Sequence, residues 1–135
     1  MKSLHKAGAI ILNEKGQMLA VHKRGKPENE LIVPGGVVES AETHEDALHR
    51  EVLEELGVEI NNHHFYADFE AKAIYDDSWL HMKTFIVTLK SLPIASNEID
   101  QLVWIGKDFN DNGYRYASIL GLQLLPRLLA EGLLR

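Results

Sequence analysis

The sequence predicts an α/β (α+β) fold, a mixed β-sheet held between helices, in one domain spanning residues 1–135. Three observations carry this. Short β-rich runs recur along most of the chain. Two helical stretches stand apart from them, one mid-chain and one at the end. No linker, internal repeat or low-complexity tract divides the whole. A chain of 135 residues can bury a core without staples. With no cysteine, it has neither a disulfide framework nor cysteine-ligated zinc.

The elements follow in order. AGAIIL and MLAVHK flank the polar NEKGQ, whose Gly16 suits a turn, so the pair is expected to form a hairpin. LIVPGG is a third short strand, ended by Pro34-Gly35-Gly36. A helix is expected from Thr43 to Leu56, with Thr43 as N-cap, Asp46 completing a capping-box pair and Gly57 at the C′ position. FYADFEAKAIY and HMKTFIVTLK form a second pair of strands, and QLVWI is a further short one. The leucine-rich YASILGLQLLPRLLAEGLL is a terminal helix that Pro126 kinks or divides.

The net charge of −6 argues against non-specific nucleic-acid binding through a broad basic face. An acidic protein can still hold a polyanion if metal ions stand between the two. The apolar run Ala7 to Leu12 is too short for a signal-peptide core or a membrane span. The chain is therefore expected to be soluble and cytoplasmic, without a membrane partner.

Chemistry concentrates in the mid-chain helix. At about 100° per residue, Glu51, Glu54 and Glu55 fall within an arc of roughly 100°, beside a face of Leu48, Val52, Leu53 and Leu56 that can pack on a sheet. Like charges so placed cost on the order of 0.2–0.5 kcal/mol per pair. A solvated acidic face is one reading. The other is a site for hard divalent cations, which prefer carboxylate oxygens and would neutralise the repulsion. The flanks favour the second: glycines ahead of the helix let a phosphate approach closely, and Arg50 can grip a carboxylate with two hydrogen bonds.

From Gly36 the spacing is five residues to Glu42, seven more to Arg50-Glu51-Val52, one residue, Glu54-Glu55, one residue, then Gly57-Val58. This pattern resembles the Nudix box at every fixed position. Looser agreement extends beyond it, through strands before the box, the VPGG lead-in, the later NEIDQLVW and the terminal helix.

The resemblance implies an α/β/α sandwich with the box as loop–helix–loop, and a MutT-like pyrophosphohydrolase that uses magnesium or manganese. It implies hydrolysis of a diphosphate bond in a nucleoside diphosphate linked to another group. Glu51, Glu54, Glu55 and the Gly35 carbonyl would be metal ligands. Arg50 would orient Glu51, and Glu42 would support the loop or an outer metal. A ligand from outside the box is expected at Glu98, with Asp100 as the second candidate. Glu51 is the expected general base. His22, Lys23, Arg24 and Lys26 follow the second strand, and Lys23 and Arg24 are the expected phosphate contacts. Within the family, a proline about fifteen residues after the box resembles ADP-ribose hydrolases, and Ala73 and Ile74 stand there instead. A tyrosine sixteen to eighteen residues after it resembles diadenosine-polyphosphate hydrolases, and Tyr75 lies seventeen after Val58. The expected substrate is thus a small nucleotide, either a nucleoside triphosphate or a dinucleoside polyphosphate. Trp79, Phe109, Tyr114 and Tyr116 are candidates to stack on its base. The histidines His5, His44, His49, His63, His64 and His81 are read as structural. A homodimer is allowed. The alternative function is a catalytically silent nucleotide-binding or sensor module; such modules commonly lose box glutamates, and this chain keeps them.

Overall fold

The computed structural model describes residues 2–73 and 76–135. Tyr75 lies outside the described residues. Strand β1 (Lys2–Ile10) is the spine. It runs parallel to β6 (Ser78–Leu89) through nine register pairs and antiparallel to β4 (Gly35–Val37) on its other side. β5 (Ile60–Lys72) lies antiparallel against β6, giving a mixed sheet of order β4-β1-β6-β5. Two smaller pairs complete the set, β2 (Met18–Lys23) with β7 (Ile99–Ile105) and β3 (Glu30–Leu31) with β8 (Arg115–Tyr116).

Strand alternation divides the core into two layers. Ala7 and Ala9 of β1 and Phe85 and Val87 of β6 meet Leu48, Val52 and Leu56 of helix α1 (His44–Leu56). Ile10 faces the other way, with Ala67 and Phe69 of β5, toward Leu120, Leu124, Leu125 and Leu128 of the terminal helical segment. The sheet therefore sits between helices, an α/β/α sandwich, as the pattern of elements predicts. Truncating a fully buried residue such as Leu48 to alanine would cost about 2–5 kcal/mol. Among the described residues, no helix is long and apolar enough to cross a membrane.

Helix α1 begins and ends where the sequence places it. Thr43 Oγ1 accepts from the Asp46 N–H at 3.0 Å, and Asp46 Oδ2 accepts from the Thr43 N–H at 3.1 Å. Gly57 takes φ 62° and returns its N–H to the Leu53 carbonyl. Leu53 itself does not pack on the sheet. It is half exposed, and Ala47 joins Leu48, Val52 and Leu56 in the buried stripe.

Other expectations need correcting. The first two strands turn at Asn13 to Gln17 but separate after a bridge between Leu12 and Met18. Each run is apolar on both faces, so each enters its own sheet with partners distant in sequence rather than forming a long hairpin. Pro34-Gly35-Gly36 does not simply end a strand, because the two glycines open β4. Gly35 has φ 138°, and a Cβ there would stand 2.0 Å from the Ala7 carbonyl oxygen. Only glycine lets β4 lie this close to β1. The terminal helix is divided at the proline. A π-helical segment, Ile119–Leu124, precedes α2 (Leu125–Ala130), and the Leu125 N–H reaches back five residues to the Leu120 carbonyl. Pro126 has no N–H to give, and the wider turn accommodates it.

Candidate active site

Arg50 organises the acidic helix. Its Nε and Nη2 donate to the two oxygens of Glu42 at 2.8 and 3.0 Å, Nη1 donates to Glu51 at 2.8 Å and reaches Glu54 at 3.5 Å, and Nη2 also donates to the Val37 carbonyl at 3.1 Å. One planar fork thus ties the loop before α1 to two acids on the helix, a geometry a lysine lacks. The guanidinium, helped by the Glu39 N–H, holds the Glu42 carboxyl down to about 2.

Glu51 and Glu55 lie deeper. Burial pushes the Glu51 carboxyl up, and Arg50 pulls against it. Burial pushes Glu55 up to about 8, with the neighbouring Glu51 adding to the rise and the Gly35 N–H, which donates to Glu55 Oε1 at 2.9 Å, opposing it. A Cβ on Gly36 would stand 2.5 Å from the Glu51 carboxyl, so this glycine makes room for the acid. β4 is therefore part of the site. One of its glycines anchors Glu55 and the next shapes the space around Glu51.

The later loop is fastened to the end of α1 by the backbone groups that a helix terminus leaves open. The Ile94 N–H donates to the Leu56 carbonyl at 2.8 Å, the Ser96 N–H to the Glu55 carbonyl at 3.0 Å, and Asn97 Nδ2 to the Glu54 carbonyl at 2.7 Å. These ties bring Glu98 to Glu51, Glu54, Glu55 and Asn97 around one cavity of about 240 Å³. Lys23 Nζ lies 3.2 Å from Glu98 Oε2, and Lys23 lines the neighbouring cleft. Arg24 serves the same loop, donating Nε to the Asn97 carbonyl at 3.2 Å and its backbone N–H to the Glu98 carbonyl at 2.8 Å.

Glu51, Glu54, Glu55 and Glu98 are oxygen donors from two separate segments, a set that suits a hard divalent cation. Among the described residues, no three histidine, aspartate or glutamate side chains already converge at ligand spacing. The four glutamates line the cavity as separate arms, Glu51 steadied by Arg50 and Glu55 by Gly35.

Asp100 does not belong to this group. It meets His22 Nδ1 at 2.6 Å beside a different cavity, lined also by Glu28, Asn29 and Gln101. His22 lies within β2 rather than after it, and its other ring nitrogen faces the carbonyls of Lys26 and Pro27. Acceptors at both nitrogens suit an imidazolium, and Asp100 holds the His22 pKa up. The pair braces β2 against β7. Phe109 is no base-stacking residue either: it is buried in the core and meets Tyr116 edge-on. Tyr114 packs on that core too, and the Tyr116 hydroxyl donates to Asn112.

Sequence reasoning missed Lys6. It is half-buried on β1 and lines a cleft beside the glutamates with Ile32, Leu80, Ala117 and Ser118. A lysine at a position that alternates in step with buried Ile10 was the available signal.

Comparison with known proteins agrees with this geometry. The family model for the NUDIX domain matches residues 3–110. An RNA pyrophosphohydrolase of Marinomonas sp. (strain MWYL1) is 42% identical over 52 residues, which cover 38% of this chain and 31% of that protein, so the match spans about a third of the relative's length. The solution structure of the E. coli ORF135 protein superposes with a TM-score of 0.74 at 26% identity, covering 97% of this chain and 94% of that one. The crystal structure of a MutT protein from Methanosarcina mazei Go1 superposes with a TM-score of 0.77 over 97% of this chain and 96% of that one, and at 18% identity this likeness speaks for the fold alone.

Proposed function

The chain belongs to the NUDIX domain family, and from that premise we propose that it is a pyrophosphohydrolase. It would cleave a diphosphate bond in a nucleoside triphosphate or a dinucleoside polyphosphate with the help of magnesium or manganese. The observation that carries this reading is the meeting of four glutamates, three from α1 and one from the later loop, around one cavity beside a lysine-rimmed cleft.

The proposed holders of the cation are Glu51, Glu54, Glu55, Glu98 and the Gly35 carbonyl. A bound divalent ion supplies neutralisation of the diphosphate charge and acidifies water. The chain's own residues supply the rest. Arg50 fixes the Glu51 carboxylate in one orientation, and Glu42 locks Arg50 from behind. Glu51 accepts a proton from water as the water oxygen attacks phosphorus. The bridging oxygen leaves with the electron pair of the broken P–O bond. Lys23 faces the phosphates from the rim, while Arg24 acts through the loop that carries Glu98. The name of the Marinomonas relative, RNA pyrophosphohydrolase, fits the reaction class.

A phosphate-release screen over nucleoside triphosphates, nucleotide sugars, ADP-ribose and dinucleoside polyphosphates tests the reading. The expected result is turnover of a triphosphate or dinucleoside polyphosphate. ADP-ribose as clearly the best substrate would contradict the substrate class.

A further inference from the structure

Along β1, Ala7 and Ala9 face α1, so Lys6, Gly8 and Ile10 face the opposite layer. Ile10 is fully buried there, and Gly8 lies tight under Met82. Lys6 is the next position outward. It stands where the packed core opens into two adjoining cavities of about 100 and 310 Å³, whose shared walls also include Ile32, Leu80, Ala117 and Ser118.

A lysine in this place is costly. Burial lowers its pKa, and the nearby charge of Lys23 lowers it further, against Glu55 and Glu51 on the other side. Among the described residues, the Lys6 ammonium has no hydrogen-bond or ion-pair partner. Lys23 has Glu98 and Arg50 has Glu42. A partly desolvated cation aimed into a cleft without a protein partner is suited to a ligand oxygen. The phosphates are assigned to the carboxylate cavity and to Lys23, which lines the larger of the two cavities with Lys6 but not the smaller. The larger cavity also carries Lys26, Glu30 and Asp76, but the smaller one beside Lys6 is walled by Ile32, Val33, Leu80 and Met82, which suit the face of a flat ring rather than a strongly hydrated phosphate.

We propose that Lys6 determines base selectivity, donating a hydrogen bond to a ring keto oxygen of a nucleobase seated against Ile32, Leu80 and Met82. This rests on the reading of the cleft as a nucleotide site. An ammonium carries three donors and no acceptor. It therefore satisfies a keto group and meets an exocyclic amino group donor to donor. Hypoxanthine and adenine differ in this respect at C6, with little change in ring size.

The test uses the whole chain. Calorimetric titration of the metal-free protein with inosine and adenosine 5′-monophosphates reads binding without turnover, and kinetics on the two triphosphates with magnesium reads the reaction. The inosine compound is expected to bind about 10- to 100-fold more tightly, the worth of one hydrogen bond to a charged group. Lys6→Met should erase this ratio by weakening the inosine compound alone, and in the kinetics the loss should fall on KM rather than kcat. Lys6→Gln, whose amide both donates and accepts, should admit both bases and guards against a Lys6→Met chain that does not fold. Equal binding of the two monophosphates, no binding of either, or an equal loss for both in the variants would overturn the proposal; the last would place Lys6 on the phosphate. An inosine preference that depends on Lys6 without turnover of any triphosphate would sink the hydrolase reading and leave this one standing. Turnover with no base preference would do the reverse.

Discussion

Glu42 and Glu55 are the same residue type in the same motif, and the fold pushes them in opposite directions. Glu42 sits in the loop before α1, where the Arg50 fork and the Glu39 N–H hold its carboxyl down to about 2. Glu55 sits on the last turn of α1, where burial pushes its carboxyl up to about 8 against a single N–H from Gly35. The acidic motif is thus divided. One end is fastened internally and shapes the site. The other holds carboxyls at an electrostatic cost that an added cation would relieve.

The sharpest way to test this division is to change Glu51, which stands between the two ends and takes one Arg50 hydrogen bond. Glu51→Gln keeps the shape and removes the proton acceptor. The kcat should fall by about 10²–10⁴, with substrate affinity little changed at saturating magnesium. If Glu98→Gln loses far more kcat across pH, and added metal alone rescues Glu51→Gln, the base lies on the later loop.

Glu54→Gln and Glu55→Gln should each remove most turnover while the metal-free protein melts no lower than wild type, because like charge is relieved on the helix. Near wild-type turnover in both would place the site elsewhere. Arg50→Lys attacks the fastened end. It keeps a positive charge but loses the two-pronged grip on Glu42 and the bond to Glu51. Urea unfolding should show a loss of about 1–2 kcal/mol, allowing for partial solvent screening. An unchanged midpoint would mean that the fork contributes nothing to the fold.

The pH dependence separates the two ends most finely. A carboxyl whose folded pKa is raised from its ordinary 4.5 to about 8 stabilises the fold while protonated. That contribution is complete below the ordinary value and is lost as pH rises through about 8. Glu42 works the other way: its contribution is present above 4.5 and lost as pH falls toward about 2. Metal-free protein should therefore melt a few degrees lower above pH 8 than near pH 5, and Glu55→Gln should flatten this decline. A slope as steep in the variant as in wild type would assign the effect to other groups.

How much of this was legible in the sequence follows from the range of the interactions. The cap at Thr43, the stop at Gly57 and the acidic face of α1 are local, set by residues three and four apart, and the structure shows them as read. The split of the first two strands between sheets, and the use of Gly35 and Gly36 as a strand packed on β1, depend on pairings far apart in the chain. Leu53 was misplaced because it stands at the margin of the apolar arc, where the geometry of the neighbouring sheet decides burial. The sequence ranks Glu98 ahead of Asp100, but the backbone ties from residues 94–97 to the end of α1, which bring Glu98 beside the helix glutamates, join parts of the chain too far apart for spacing to show. Lys6 went unnoticed because one cation at the end of an apolar run reads as solvent-facing until the cleft above it is known.

The most direct test is turnover of the best substrate in excess EDTA, followed by addition of magnesium or manganese. The division of the motif into a fastened end and a cation-seeking end predicts that activity vanishes with the chelator and returns with either metal. Undiminished turnover in EDTA would contradict it.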